Sequence, residues 1–295
     1  MAEGQEMGFS LDKYDCPTII PYFGGKVEIS KQLVPLMPDH VRYFEPFAGG
    51  LSTFFRKPKS DINILNDLDK DLANLYFCVV VSFDEFIDKS FWLPKSRELF
   101  NKIKQELKNS DFDIPNVNRA VFYYYMIHNA FNKVAFGTFS KDCTNWKTTV
   151  TQTLSISRRK LDGCVLENMD IFDLFDKYNV EDGDFIYLDP PYVVADKRKD
   201  YYRHVFDKDK HEKLRGLIDK IDDNGGKFMM SYDDKPIIYE LYGDRYPIET
   251  INTKYYGATL KEIKDATETV ITNYEVKHSN QLKLFEEEIN GINNR

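Results

Sequence analysis

The chain has 295 residues, 42% of them hydrophobic and 15% aromatic, and a formal net charge of −8. That length and apolar content supply a real core for one large domain, or for one domain carrying an inserted lobe. The acidic total excludes a uniformly basic nucleic-acid-binding surface, so any such surface must be local.

Residues 1–18 are polar and read as a loose arm. Pro21-Tyr22-Phe23-Gly24-Gly25-Lys26 follows, then Ile29, Leu33 and Leu36 at helical spacing. The paired glycines allow a tight turn or a close approach of the backbone to a ligand, and Lys26 is placed to meet a carboxylate. The stretch from Tyr43 through Glu45-Pro46-Phe47-Ala48-Gly49-Gly50 to Ser52 reads as a strand, a glycine turn and the start of a helix. That is the beginning of a nucleotide-binding half-fold, although the G-x-G-x-x-G spacing of a dinucleotide site is missing. Ile64-Leu65-Asn66-Asp67 is a short strand ending in an acid. An acid there is placed to hold ribose hydroxyls; the alternative is that Asp67 only caps the helix Asp69–Val81.

Phe86–Leu107 reads as helical, and Val121–Ile127 as a core helix. Asn129, Asn132 and Lys133 come next. A polar, β-branched run through Trp146 and Thr149 to Arg158-Arg159-Lys160 then predicts a hairpin lobe. Asparagine pairs with adenine edges and lysine or arginine with guanine, while the Arg158, Arg159 and Lys160 triplet suits phosphates. The alternative is a solvated surface lobe.

Phe185-Ile186-Tyr187-Leu188 reads as a buried parallel strand stopped by Asp189-Pro190-Pro191-Tyr192. Strand ends of this kind carry the ligand sites of open α/β sheets. The two prolines present only backbone acceptors, Asp189 adds a carboxylate and Tyr192 a flat ring. Convergent acceptors beside a ring match a planar group bearing an NH₂, such as the exocyclic amine of adenine. Hydrogen bonds to Asp189 and the Pro190 carbonyl would localise its lone pair while Tyr192 stacks on the base; the alternative is a proline-stiffened turn after a strand. The basic loop beyond, with Lys197, Arg198 and Lys199, is placed to close over an extruded base; the alternative is a solvated face. His204 and His211 show no metal-ligand spacing.

Together, Tyr22-Phe23-Gly24-Gly25-Lys26, Glu45-Pro46-Phe47-Ala48-Gly49-Gly50, Asn66-Asp67 and Asp189-Pro190-Pro191-Tyr192 resemble the Dam-like family of DNA adenine methyltransferases. The resemblance covers roughly residues 18 to 275. It implies a class I methyltransferase (Rossmann-like) α/β fold with a seven-stranded, mostly parallel sheet. The implied core is 18–75 and 161–275, the target-recognition lobe 76–160 and the tail 276–295. It also implies S-adenosyl-methionine as methyl donor and a flipped adenine in double-stranded DNA as acceptor. Tyr22, Lys26, Glu45, Phe47, Gly49, Asp67, Asp170 and Asp189 would then line the cofactor site, and Tyr232 would pack against the flipped base. The wording of the lobe departs from the family, with Lys133 where a glycine is usual, so no target sequence carries over. RNA adenine or protein amide methylation, and an inactive DNA-binding module, stay open as alternatives.

The four cysteines (Cys16, Cys78, Cys143, Cys164) form no C-x-x-C pair and read as reduced thiols of a cytoplasmic protein. No stretch is apolar for long enough to span a membrane. Near the C-terminus, Gln281-Leu282-Lys283-Leu284-Phe285 resembles the sliding-clamp-binding motif of bacterial replication and repair proteins. The rival reading is a helix packing Leu282, Phe285 and Ile289 on its own domain.

Overall fold

The computed structural model describes residues 16–22, 24–109, 111–141, 150–192, 206–256 and 263–276. One sheet organises them. Its strands are β1 (Arg42–Glu45), β2 (Ile62–Asn66), β3 (Val165–Glu167), β4 (Asp184–Leu188), β5 (Lys227–Asp233), β6 (Ile248–Tyr256) and β7 (Ile263–Thr272), in the order β3-β2-β1-β4-β5-β7-β6. β3, β2, β1, β4 and β5 run parallel, and β7 pairs antiparallel with both β5 and β6. The seven-stranded, mostly parallel sheet that the resemblance implies is therefore present.

Parallel strands need cover on both faces, and alternation along the strands supplies two cores. On one face Tyr43, Leu65, Phe185, Tyr187, Met229 and Val270 join a cluster with residues of α1 (Ser30–Leu33), α2 (Ser52–Arg56), α3 (Lys70–Val81), α4 (Phe83–Phe91), α5 (Arg97–Asn109) and α6 (Val117–Asn129). On the other, Phe44, Ile64, Ile186, Leu188, Phe228, Met230 and Ile271 pack with α8 (Ile171–Lys177), α9 (Lys208–Asp223) and α10 (Pro236–Tyr242). β4 is buried along its whole length, as a central strand must be.

Side-chain caps place the helices that border the site. Asp69 accepts from the Asp71 N–H at 3.0 Å to start α3, and Asp170 accepts from the Phe172 N–H at 3.0 Å to start α8. The cap of α3 is therefore Asp69, which leaves Asp67 available for other work. α3 and α6 are tied by a buried ion pair, Arg119 Nε to Asp71 Oδ1 at 2.5 Å.

Two expectations need correction. The stretch Phe86–Leu107 is two helices, α4 and α5, with Pro94 in the turn between them. The run leading to Lys160 predicts a hairpin, but its described part, Val150–Leu161, is helix α7. Leu154, Ser157 and Leu161 are buried there at helical spacing, and Ser157 Oγ donates to the Pro17 carbonyl at 2.6 Å. Tertiary packing of that stripe overrides the β-branched composition. Residues 142–149 lie outside the described residues, as do Lys197, Arg198, Lys199, His204 and the 281–285 motif. No described helix is long and apolar enough to cross a membrane.

Candidate active site

The sheet order changes direction between β1 and β4, and the loops that leave these two strands face one crevice. The loop after β1 is 46–51; the loop after β4 begins at Asp189.

On the β1 side, the glycine loop is packed against Tyr22. A Cβ at Gly50 would stand 2.8 Å from the Tyr22 Cβ, and Gly49 has φ +45 with the Tyr22 ring 3.3 Å from its ideal Cβ position. Both positions therefore demand glycine. Asp67, at the end of β2, accepts the Gly49 N–H at 2.8 Å and the Asp69 N–H at 2.8 Å, one on each oxygen. Burial pushes its carboxyl up to about 7, against the pull of the Asp69 N–H. Tyr76 donates its hydroxyl to the Gly49 carbonyl. Asn66, a residue not singled out from sequence as a site residue, laces the crevice floor. Its Nδ2 donates to the carbonyls of Pro46 (2.9 Å) and Met169 (3.0 Å), and its Oδ1 accepts the Met169 N–H. Asp170 therefore stands at the same floor.

Glu45 is 3% exposed and turned inward. It accepts the Tyr43 hydroxyl at 2.7 Å, and burial pushes its carboxyl up to about 8 despite that bond. It braces the loop from beneath. Phe47 is half-buried, its ring edge-on to Phe206 at 5.6 Å.

On the β4 side, Lys26, Asp189, Tyr192 and Glu268 form one cluster. Lys26 Nζ lies 2.9 and 3.0 Å from the two Glu268 carboxylate oxygens and 3.3 Å from Asp189 Oδ1. Tyr192 donates its hydroxyl to Glu268 Oε1 at 3.0 Å and also touches the Lys26 ammonium. Burial alone would lower the Lys26 value, but the Asp189 and Glu268 carboxylates more than offset it, so the ammonium is held above the ordinary lysine value. Burial pushes the Asp189 carboxyl up to about 6; Lys26 works against that rise and Glu268 adds to it. Asp189 is 23% exposed, whereas Lys26 and Glu268 are 4% and 1%. The one carboxylate of the cluster open to the crevice is therefore Asp189. Ser231 also hydrogen-bonds it.

Tyr232 is fully buried behind Tyr192, with ring centroids 4.6 Å apart, and its hydroxyl meets His211 Nε2 at 3.2 Å. It backs the Tyr192 ring and is itself closed off. Glu268 is a site residue that the sequence did not disclose. Its strand pairs with β5 at Asp233 and brings it to Lys26 across 242 positions.

The residues expected at DNA divide. Asn129 is fully buried, its Nδ2 donating to the Tyr125 carbonyl at 2.8 Å, because it closes the last turn of α6 inside the core. Lys160 turns inward to the carbonyls of Phe55 (2.8 Å) and Lys57 (2.6 Å). Asn129 is closed off from DNA, and the half-buried Lys160 has its ammonium occupied by backbone. Asn132 is exposed in a left-handed turn at φ 54, and Lys133 donates to the His128 carbonyl at 2.9 Å. Arg158 and Arg159 are exposed on α7, with the Arg158 guanidinium 4.9 Å from the centre of the Phe83 ring.

The donor set fits S-adenosyl-methionine. Each Asp67 oxygen uses one lone pair on a backbone N–H and keeps a second, the kind of acceptor a ribose hydroxyl would need. The Gly49–Gly50 turn allows close approach, and the crevice carries acidic groups suited to a sulfonium.

Comparisons with known proteins agree. The chain is 28% identical over 269 residues to the Type II methyltransferase M1.LlaDCHI of Lactococcus lactis subsp. cremoris, covering 85% of this chain and 93% of that protein. It is 24% identical over 262 residues to the Retron Ec67 DNA adenine methylase of Escherichia coli, covering 86% and 90%. It is 27% identical over 277 residues to the Type II methyltransferase M.CviBI of Paramecium bursaria Chlorella virus NC1A, covering 87% and 99%. The model of the D12 class N6 adenine-specific DNA methyltransferase family matches residues 22–256, a span that takes in Tyr22, the glycine loop, Asp67 and the Asp189-Pro190-Pro191-Tyr192 turn, and the chain belongs to that family.

Proposed function

We propose that Asp189 and the Pro190 carbonyl accept the two N–H groups of a target adenine that has left the DNA duplex, with the Tyr192 ring against the base. The observation that carries this is the partly open Asp189 carboxylate beside a tyrosine pinned by Glu268 and backed by Tyr232. When bound, S-adenosyl-methionine supplies an electrophilic methyl group on a cationic sulfur. Asp189 and Pro190 draw the amine nitrogen towards a tetrahedral shape and localise its lone pair. Preorganised acceptors and alignment then provide the catalysis. Tyr22, Gly49, Asp67 and Asp170 hold the cofactor, and Glu45 and Phe47 support their loop. The test is mass analysis of adenine after incubation with S-adenosyl-methionine and plasmid or RNA. Methyl transfer to RNA alone would overturn the DNA reading.

Asp189 must be ionised to accept both in charge and in geometry. Its carboxyl sits at about 6, so the acceptor is intact above that pH and lost as pH falls through it. Turnover is expected to fall about tenfold between its plateau and pH 5, one pH unit below the midpoint. A rate flat across that interval would remove Asp189 as the ionised acceptor.

Asn132, Lys133, Arg158 and Arg159, with Lys197 and Arg198, are the proposed DNA contacts. Affinity is expected to drop as salt rises, and Arg158→Ala with Arg159→Ala to reduce the slope of log K against log salt by about 2. An unchanged slope in filter binding would take α7 off the interface. A cytoplasmic location is part of the same proposal. Clamp docking through Gln281, Leu282, Leu284 and Phe285 is proposed on the sequence of the tail alone. It calls for roughly micromolar binding of the tail peptide to a bacterial clamp, lost when Leu284 and Phe285 become alanine.

A further inference from the structure

Lys26 faces two carboxylates, and it does not share itself equally. Glu268 takes it with both oxygens, at 2.9 and 3.0 Å, while Asp189 is reached by one oxygen at 3.3 Å. Glu268 is also the acceptor of the Tyr192 hydroxyl. It is 1% exposed and lies on β7, outside the residues 22–256 that the family model matches. A buried carboxylate is costly unless paired, so its place at the crevice requires a compensating role.

We propose that Glu268 is a positioning residue that holds the Lys26 ammonium and the Tyr192 hydroxyl, and so keeps Asp189 open to the target amine. This rests on Asp189 being the amine acceptor. Were Glu268 neutral, Lys26 would have one carboxylate left to pair with. It would turn to Asp189 and occupy the lone pairs that the amine needs. The Tyr192 ring would lose its anchor at the same time. Two carboxylates to one ammonium leave a surplus negative charge beside the amine, the sign that favours a nitrogen becoming positive as it is alkylated. Glu268 also contributes to the raised Asp189 value, in the direction expected of a nearby like charge.

The experiment is a pH profile of single-turnover methylation by Glu268→Gln, Glu268→Asp and Lys26→Met in the full chain. S-adenosyl-homocysteine calorimetry and thermal melting confirm folding. Glu268→Gln is expected to lower plateau turnover about tenfold, less than direct loss of the acceptor, and to move the acidic limb down by about one pH unit. Glu268→Asp keeps the charge and should leave the limb close to the wild-type position, which gives a readout even if the glutamine variant does not fold. With Lys26→Met already present, Glu268→Gln should add only the part of the loss that comes from the Tyr192 anchor, less than it costs in the wild-type background. An unmoved limb in folded Glu268→Gln, a limb displaced equally by Glu268→Asp, or losses that multiply in the double variant would each overturn the inference. The underlying assignment fails separately: it falls if Asp189→Asn retains turnover, whatever Glu268 does.

Discussion

Asp189→Ala is expected to lower methyl transfer by about a hundredfold to a thousandfold while DNA binding is largely kept. The magnitude follows the loss of one preorganised polar partner of a reacting group. The fold should tolerate the change, because Lys26 keeps both of its contacts to Glu268 and is not left as an unpaired buried charge. The carboxylate that is removed is also far more exposed than Lys26 or Glu268. Single-turnover methylation and fluorescence anisotropy with the same duplex separate the two quantities. Near-normal turnover in the variant would show that the amine finds its acceptor elsewhere.

The second large effect is expected at Asp67. Replacing it with alanine should weaken S-adenosyl-methionine binding by roughly ten- to a hundredfold, the worth of a charged hydrogen bond to a hydroxyl of about 1.5–3 kcal/mol. DNA affinity should change much less, since Asp67 lies on the β1 side of the crevice. Part of the loss will come through the loop, because the carboxylate also holds the Gly49 and Asp69 N–H groups. Asp67→Asn retains one of those acceptors and separates the contributions: a variant that melts like wild type but binds cofactor poorly isolates the ribose contact. Equal calorimetric affinity for Asp67→Ala and wild type would leave Asp67 as a brace of the glycine loop.

The strands and the glycine loop are legible in the sequence because they rest on local chemistry. Phe185–Leu188 can be read as a buried strand from its apolar letters, and the Gly49–Gly50 turn from its glycines. In the sequence the acid at the end of β2 is open to two readings, ribose acceptor or helix cap, and the structure gives the cap of α3 to Asp69. Glu268 was not legible. In Thr267-Glu268-Thr269 it has the look of an outward-facing strand residue, and its burial depends on a lysine 242 positions away. Asn129 and Lys160 fail for the same reason in reverse. Their letters suit DNA, but α6 turns one into the core and α7 turns the other onto the carbonyls of Phe55 and Lys57. The helix over Val150–Leu161 was obscured by threonine and valine at its start, while Leu154, Ser157 and Leu161 carried the period that won.

The strand order has a consequence for how the enzyme is made. β1 pairs with β2 soon after both are synthesised, but its other edge waits for β4; the ion pair between Arg42 and Asp184 links residues 142 apart. At about 5–20 residues per second that edge stays unpaired on the ribosome for roughly 7–28 s. It is an open template for wrong pairing throughout that interval. The helices α3–α7, made in the meantime, can cover a face of the young sheet but not its edge. β7 comes later still, so a nascent chain has no Glu268 to offer Lys26 until the antiparallel strand docks on β5. A message cut short before that strand would yield a protein with its glycine loop and Asp189 turn already synthesised and the ammonium at the crevice still without its nearest counter-ion.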